Sequence, residues 1–261
     1  MPIKVPEGLR RLSYEEFATA AYKVMEVAFS VHREFGRLFD EPVYQHQVAS
    51  QLCGARVEVP IEVSHQGFRK TYYLDLIWAE GALFEFKAVE ELVDRHRAQV
   101  LNYLMLADLE HGKLVNMRPR AVEHEFVNVA MPREERLRFG VDHSDFAEDG
   151  QSRVPLRDLT VSILRDWGVG LDIELYEEAL TYFLGGASAV IQSTDVRIGG
   201  RCWPQKIKMA APGSGLKITA LGNGKNQYEQ QLRKFLAHSS LDRIQWINIG
   251  RSNVNFKTLM K

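Results

Sequence analysis

Cysteine is scarce in this 261-residue chain. Cys53 and Cys202 are too few and too far apart for a zinc pattern or a cluster-ligand set, and such usage fits a reducing cytoplasm. Long apolar runs are also missing. None approaches the ~18 residues that span a bilayer, so no membrane partner is expected. The opening MPIKVPEGLRRLS has no apolar core and does not read as a signal peptide. Net charge is only −1, which excludes an overall field pulling the chain toward nucleic acid or anionic membrane. Binding of either would need local basic groups such as Arg69-Lys70, Arg95-His96-Arg97 or Arg118 and Arg120. No phosphate loop is present: APGSGLK (211–217) and GNGK (222–225) fail G-x4-G-K-[ST] and read as hairpin turns. Asp142-His143-Ser144-Asp145 holds hydrolase residue types, but side by side in a polar stretch, whereas a triad is assembled in space.

What is present is a chain able to bury a core, with 45% hydrophobic and 26% charged residues. Its length suits one large or two small domains. Residues 14–35 carry Phe17, Ala21, Val24, Ala28 and Val31 at helical spacing, closed by Gly36. A second helix begins near Asp40 and Glu41, with Pro42 in its first turn and Tyr44, Val48 and Leu52 on one face. Val57, Val59, Ile61 and Val63 alternate as in a strand. Residues 70–78 and 82–88 are β-rich, 93–107 return to helical spacing, and 113–117 and 121–129 read as strands. The order α-α-β-β-β-α-β-β favours a mixed sheet covered by helices. Residues 131–154 are polar and aperiodic and read as a linker, after which the helix and strand pattern resumes. Trp78, Trp167, Trp203 and Trp246 read as core or domain-interface residues rather than base-stacking platforms.

Shifting the chain by 132 residues lays segments over one another without gaps. HREFGRLFDEPVY (32–44) falls on LRDWGVGLDIELY (164–176). Gly36 meets Gly168, Tyr44 meets Tyr176, Gln99 meets Gln231, Leu104 meets Leu236 and Asn116 meets Asn248. Two copies of one domain are therefore expected, at 1–130 and 155–261, packed as an intramolecular pseudo-dimer. Further protein partners or a homo-oligomer remain open.

The chemistry-bearing stretch is Asp75, then nine residues, then Glu85-Phe86-Lys87. Residues two apart on a strand share a face, so Glu85 and Lys87 project together while Phe84 and Phe86 point to the core. A hairpin through Glu80-Gly81 would bring Asp75 beside Glu85. Two carboxylates at one sheet edge suit a hard divalent cation, with the Phe86 carbonyl as a further ligand. Lys87 could then orient or deprotonate water and stabilise charge on a phosphate. Alone, this spacing is a weak motif, and a surface Glu-Lys pair on a strand is the commoner source of it.

Five segments in order give it context: AFSVHREFGRLFDEPVY, VEVPIEVSHQGFRKTYYLDLIW, ALFEFKAVEEL, HRAQVLNYL and KLVNM. Together, residues 17–128 resemble the GxxExxY family, a branch of the PD-(D/E)XK (RecB-like) nuclease superfamily. The resemblance implies two tandem restriction-endonuclease-like α/β domains, each with an αβββαβ core. It implies a Mg²⁺- or Mn²⁺-dependent nuclease acting on nucleic acid, with DNA the favoured substrate. Asp75, Glu85 and Lys87 resemble the catalytic set, and Glu41 resembles the helix glutamate that supports the metal. Gln99 and Tyr103 resemble a Q-x3-Y element that faces the cleft, with His96 one turn before it. One departure is Leu38, which stands where the family has its glycine; Gly170 keeps that glycine in the second copy. There Ile173 replaces Glu41, Asp75 falls on or near Lys208, the E-x-K pair falls around 218–221, and Phe235 replaces Tyr103. The second copy is expected to be noncatalytic. A nucleic-acid- or protein-binding module, or a subunit of a larger DNA-processing or defence assembly, is the competing expectation.

Overall fold

The structure, a computed structural model, describes residues 2–148, 150 and 154–261. It is mixed α/β and divides into two compact units, Met1–Arg133 and Glu134–Lys261, each with a six-stranded mixed sheet flanked by helices.

The first unit runs β1 (Ile3–Lys4), α1 (Tyr14–Phe35), α2 (Glu41–Ser50), β2 (Arg56–His65), β3 (Phe68–Trp78), β4 (Ala82–Lys87), α3 (Asp94–Ala107), β5 (His111–Asn116) and β6 (Glu123–Asn128). The sheet follows that order, and only β4 and β5 pair in parallel. Ser13 and Glu16 form a capping box that starts α1. Gly36 ends it at φ 74°, a value that glycine adopts without penalty. Phe17, Val24, Ala28 and Val31 of α1 pack with Tyr44 and Val48 of α2 on Leu76, Phe84 and Phe86. On the sheet's other side α3 sits close over β5: a Cβ at Gly112 would lie 3.2 Å from Val100 and Leu104. All six residues of β4 are buried, as expected of a strand covered on both faces. The β3–β4 turn centres on Ala79 and Glu80, both at positive φ, one residue earlier than the sequence suggested.

The second unit runs α4 (Arg133–Arg136), β7 (Gly140–Asp145), α5 (Leu156–Trp167), α6 (Ile173–Phe183), α7 (Ala187–Val190), β8 (Ile191–Ile198), β9 (Arg201–Ala211), β10 (Ser214–Thr219), α8 (Lys225–His238), β11 (Arg243–Ile249) and β12 (Asn253–Met260). Its sheet order is β7-β12-β11-β10-β9-β8. Residues 133–136 and 140–145 thus fold as α4 and β7 inside the stretch read as a linker, of which residues 149 and 151–153 lie outside the described residues. Every residue of β7 is exposed, and it is held to β12 by backbone pairing, so it leaves no hydrophobic pattern to read. The Asp142–Asp145 cluster lies on this strand. Asp142 accepts from the Ser144 N–H and hydroxyl, a local turn-like bond set with no triad geometry.

Several local devices recur 132 residues apart. The Tyr44 hydroxyl donates to the Gly36 carbonyl at 2.9 Å and accepts from the Phe39 N–H at 3.1 Å. The Tyr176 hydroxyl does the same with Gly168 at 2.6 Å and Leu171 at 3.2 Å. Asn116 brackets the backbone of Val89, and Asn248 brackets that of Leu221. β4 pairs β5 with Leu83 against Gly112, and β10 pairs β11 with Gly215 against Ile244. An extra residue, Ala210, bulges from β9, and the turn after it is Pro212-Gly213 rather than Ala79-Glu80-Gly81. The two changes cancel.

Candidate metal centre

β3 and β4 pair at Trp78↔Ala82, Ile77↔Leu83 and Leu76↔Phe84, and there the ladder stops. The next position would set Asp75 against Glu85. Instead the Phe86 N–H donates to Asp75 Oδ2 at 2.8 Å, so a side chain replaces the backbone partner and the strands part. Into this opening β4 projects Glu85 and Lys87. Lys87 Nζ lies 2.8 Å from Glu85 Oε1 and 3.2 Å from Glu41 Oε1, at the first residue of α2. The structure therefore brings Glu41, Asp75, Glu85, Phe86 and Lys87 together. Phe86 enters through its N–H.

Burial sets the electrostatics. Asp75 is 7% exposed, Glu85 0% and Lys87 8%. Asp75 is pushed up to about 6, chiefly by burial, against the pull of Lys87 and the Phe86 N–H. Burial also raises Glu85 well above the ordinary carboxylate range; the Asp75 charge adds to it and Lys87 opposes it. For Lys87, burial favours the neutral amine, but Glu85, Asp75 and Glu41 outweigh it and hold the side chain as an ammonium. Three carboxylates against one ammonium leave two negative charges when all are ionised, the charge of one divalent cation.

Gln99 and Tyr103 share a face of α3, with Gln99 Nε2 donating to the Tyr103 hydroxyl at 3.0 Å. Among the described residues they make no direct bond to Glu41, Asp75, Glu85 or Lys87. Tyr103 feels them at longer range: burial raises its hydroxyl first, and Glu85 and Asp75 raise it further. His96 is buried and accepts the Val93 N–H through Nδ1, bracing the start of α3. The expected basic patches are largely engaged. Arg97 makes a two-pronged pair with Glu125 at 2.6 and 2.7 Å, and Arg118 donates to the carbonyls of Ala88 and Arg37.

Sequence reading missed Glu58. Val57 pairs Leu76 and Val59 pairs Leu74, which sets Glu58 across from Asp75, and its charge raises Asp75 further. It holds φ 49°, an uncommon conformation for a side chain of this kind. Its place on the polar phase of 57–63 was visible; the strand register that aims it at Asp75 was not.

The residues present suit a divalent ion by two tests. Their donors are carboxylate oxygens, the ligands of Mg²⁺ and Mn²⁺. Glu85 Oε2 is also buried without a hydrogen-bond partner, a costly state that a cation would relieve. As the side chains stand, no three His, Cys, Asp or Glu residues among the described ones are gathered closely enough to hold a metal. Lys87 Nζ stands between Glu41 and Glu85, within ion-pair distance of both.

Residues 18–129 match the family model of the PD-(D/E)XK nuclease superfamily, a match that lies within the first unit and includes the whole cluster. That superfamily's nucleases generally use divalent metals, so the class indicated is a metal-dependent nuclease acting on nucleic acid. No curated protein and no solved structure matches the chain. No helix among the described residues is long and apolar enough to cross a membrane.

Proposed function

We propose that this chain is a Mg²⁺- or Mn²⁺-dependent nuclease that hydrolyses phosphodiester bonds in DNA, in the cytoplasm, at one active site in the first unit. Glu85 carries the reading: a fully buried carboxyl group with one oxygen on Lys87 and the other unpartnered, at a strand opening lined by three carboxyl groups and one ammonium. Asp75 and Glu85 would hold the ion, with Glu41 assisting and the Phe86 carbonyl available. The bound ion would act as a Lewis acid and make water nucleophilic at neutral pH. Lys87, kept protonated by its neighbours, is better suited to orienting water and stabilising charge on the phosphate than to removing a proton. Gln99 and Tyr103 offer an amide and a hydroxyl to position substrate or Lys87. Leu38 apart, the five quoted segments support placement in the GxxExxY branch.

The second unit is best read as a noncatalytic copy of the first. The shared β4–β5 and β10–β11 register sets Lys217 at the place of Glu85 and Thr219 at that of Lys87, one to two residues before the position inferred from sequence. The bulge at Ala210 and the shorter turn cancel, so the 132-residue offset holds through β9 and β10. Ile207 then corresponds to Asp75, beside the expected Lys208. The Thr219 hydroxyl is occupied by Asn248 and Trp246.

A noncatalytic binding module is the second reading, favoured by Lys87 standing where a cation would. Labelled linear and circular DNA, single- and double-stranded, incubated with Mg²⁺, Mn²⁺ or EDTA separates the two. Metal-dependent cleavage that disappears in Glu85→Ala and Lys87→Ala supports the nuclease. Binding without cleavage on every substrate supports the module.

A further inference from the structure

A cavity of about 480 Å³ lies in the second unit where β9 and β10 part. These strands pair only at Ala211↔Ser214 and Met209↔Gly215 and then separate, as β3 and β4 do beyond Leu76↔Phe84. Its walls include Lys206 and Lys208 from β9, Lys217 from β10, and Gln231 and Phe235 from α8. Lys208 is paired with Glu177. Lys206 and Lys217 are exposed and have no ion-pair partner among the described residues. The opening that collects carboxylates in the first unit therefore carries two uncompensated ammonium groups here. Such a site repels a divalent cation and attracts an anion.

The basic character continues beyond the cavity. The hairpin of residues 191–211 carries Arg197, Arg201, Lys206 and Lys208 against a single acid, Asp195, in a chain whose net charge is −1. Arg197 and Arg201 are exposed, and Trp203 is 55% exposed where a core or domain-interface residue was expected. Arg201, Trp203 and Gln205 share the β9 face that the Met209↔Gly215 pair sets beside Lys217, while Lys206 reaches the opening from the other face; from Arg201 to Gln205 the strand covers roughly 13 Å, longer than one phosphate group. An extended polyanion with stacking bases matches this surface better than a free ion does.

We propose that the opening between β9 and β10, with Lys206 and Lys217, is a metal-independent site for the phosphodiester backbone of a nucleic-acid strand, extended by the β8–β9 hairpin. This rests on the reading that the chain acts on nucleic acid, but not on cleavage. The test is fluorescence anisotropy of a labelled single-stranded oligonucleotide with the full chain in EDTA, across a salt series. A Lys206→Ala/Lys217→Ala variant is expected to bind roughly tenfold more weakly at low salt, with the slope of log K against log salt reduced by about 1.4, since each phosphate contact on a single strand contributes about 0.7. Trp203→Ala should weaken binding without changing the slope. Lys217→Gln, with its own melting curve, guards against a misfolded double variant. Unchanged affinity and slope in variants that melt normally would overturn the proposal. Inorganic phosphate is the free-anion control: saturable phosphate binding that is lost in the double variant while oligonucleotide binding persists would reassign the site to a small anion. Because the readout needs neither metal nor cleavage, loss of this binding leaves the nuclease reading intact, and absence of cleavage leaves this one intact.

Discussion

In the first unit β3 and β4 part after Leu76↔Phe84, and Asp75, Glu85 and Lys87 fill the gap; in the second, β9 and β10 part after Met209↔Gly215, and Ile207, Lys217 and Thr219 stand in those places. The backbone devices around the two gaps agree closely: a tyrosine on a glycine carbonyl, an asparagine bracket, a parallel strand pair in the same register. The contrast teaches that the strand opening comes from the scaffold, and that the side chains lining it set the charge it carries. It also places the destabilising groups. Buried acids that raise one another's protonation are found in the first gap, whereas the lysines of the second are exposed.

The largest effect should come from matched substitutions in the two gaps. Glu85→Ala and Lys87→Ala are each expected to lower the cleavage rate by about a thousandfold, the scale on which charge-stabilising groups act. Thr219→Ala, at the place of Lys87, should leave the rate constant of folded protein within about twofold, since among the described residues its hydroxyl serves only Asn248 and Trp246. Single-turnover kinetics on one DNA substrate measures all three. Equal losses on both sides would end the division into a working and a silent unit.

Next comes the pH dependence of the acidic gap. Asp75 is raised from an unfolded value near 3.8 to about 6. A raised carboxylate favours folding below its unfolded pKa, and that contribution is lost as pH climbs through about 6. At pH 7.5 the ionised Asp75 should therefore work against the metal-free fold by up to about 3 kcal/mol. Asp75→Asn should raise the melting temperature at pH 7.5 in EDTA and change it little at pH 4. Mg²⁺ should stabilise the parent more at pH 7.5 than at pH 5, and Asp75→Asn hardly at all. Urea melts at the two pH values decide this, and a destabilised Asn variant at pH 7.5 would show that the carboxylate is a structural partner and not a ligand held in readiness.

How much of this was legible in the sequence follows from what each feature depends on. The helices 14–35 and 93–107 and the strand at 57–63 announced themselves by apolar spacing, because each has a covered face, and the strands around 70–78 and 82–88 by β-rich composition. β7 did not, because its side chains are all exposed. The residues Asp75, Glu85 and Lys87 were readable because strand alternation fixes Glu85 and Lys87 to one face and a short turn fixes Asp75 across from them. Glu58 required the β2–β3 register, and the Lys206 and Lys217 site required the bulge at Ala210. Neither a register nor a bulge leaves a compositional mark.

A smaller effect tests whether the shared framework is equally important in both units. Tyr44 and Tyr176 are both fully buried and each satisfies a carbonyl and an N–H at the bend between two helices. Tyr44→Phe and Tyr176→Phe should each cost about 1–3 kcal/mol, by stranding those groups. Chemical denaturation with a probe in each unit would report them separately. A marked inequality would mean that one bend is held by packing alone.

The smallest effect concerns Leu38 and Gly170, the one place where the second unit keeps the expected glycine and the first does not. Gly170 holds φ 88°, whereas Leu38 is not among the residues of positive φ and is 78% exposed. Gly170→Leu must force a branched side chain into a left-handed backbone and should cost about 1–2 kcal/mol. Leu38→Gly removes an exposed side chain from a segment that does not use glycine's freedom; it should cost only a few tenths of a kcal/mol, through added entropy of the unfolded chain. Cleavage by Leu38→Gly should match the parent, because Glu41 is placed by the helix it begins and by Lys87, not by the turn before it. If Leu38→Gly instead changed the cleavage rate severalfold with little change in melting temperature, the turn would be positioning Glu41, and the first unit would have diverged from the glycine-bearing geometry at a measurable expense to its own site.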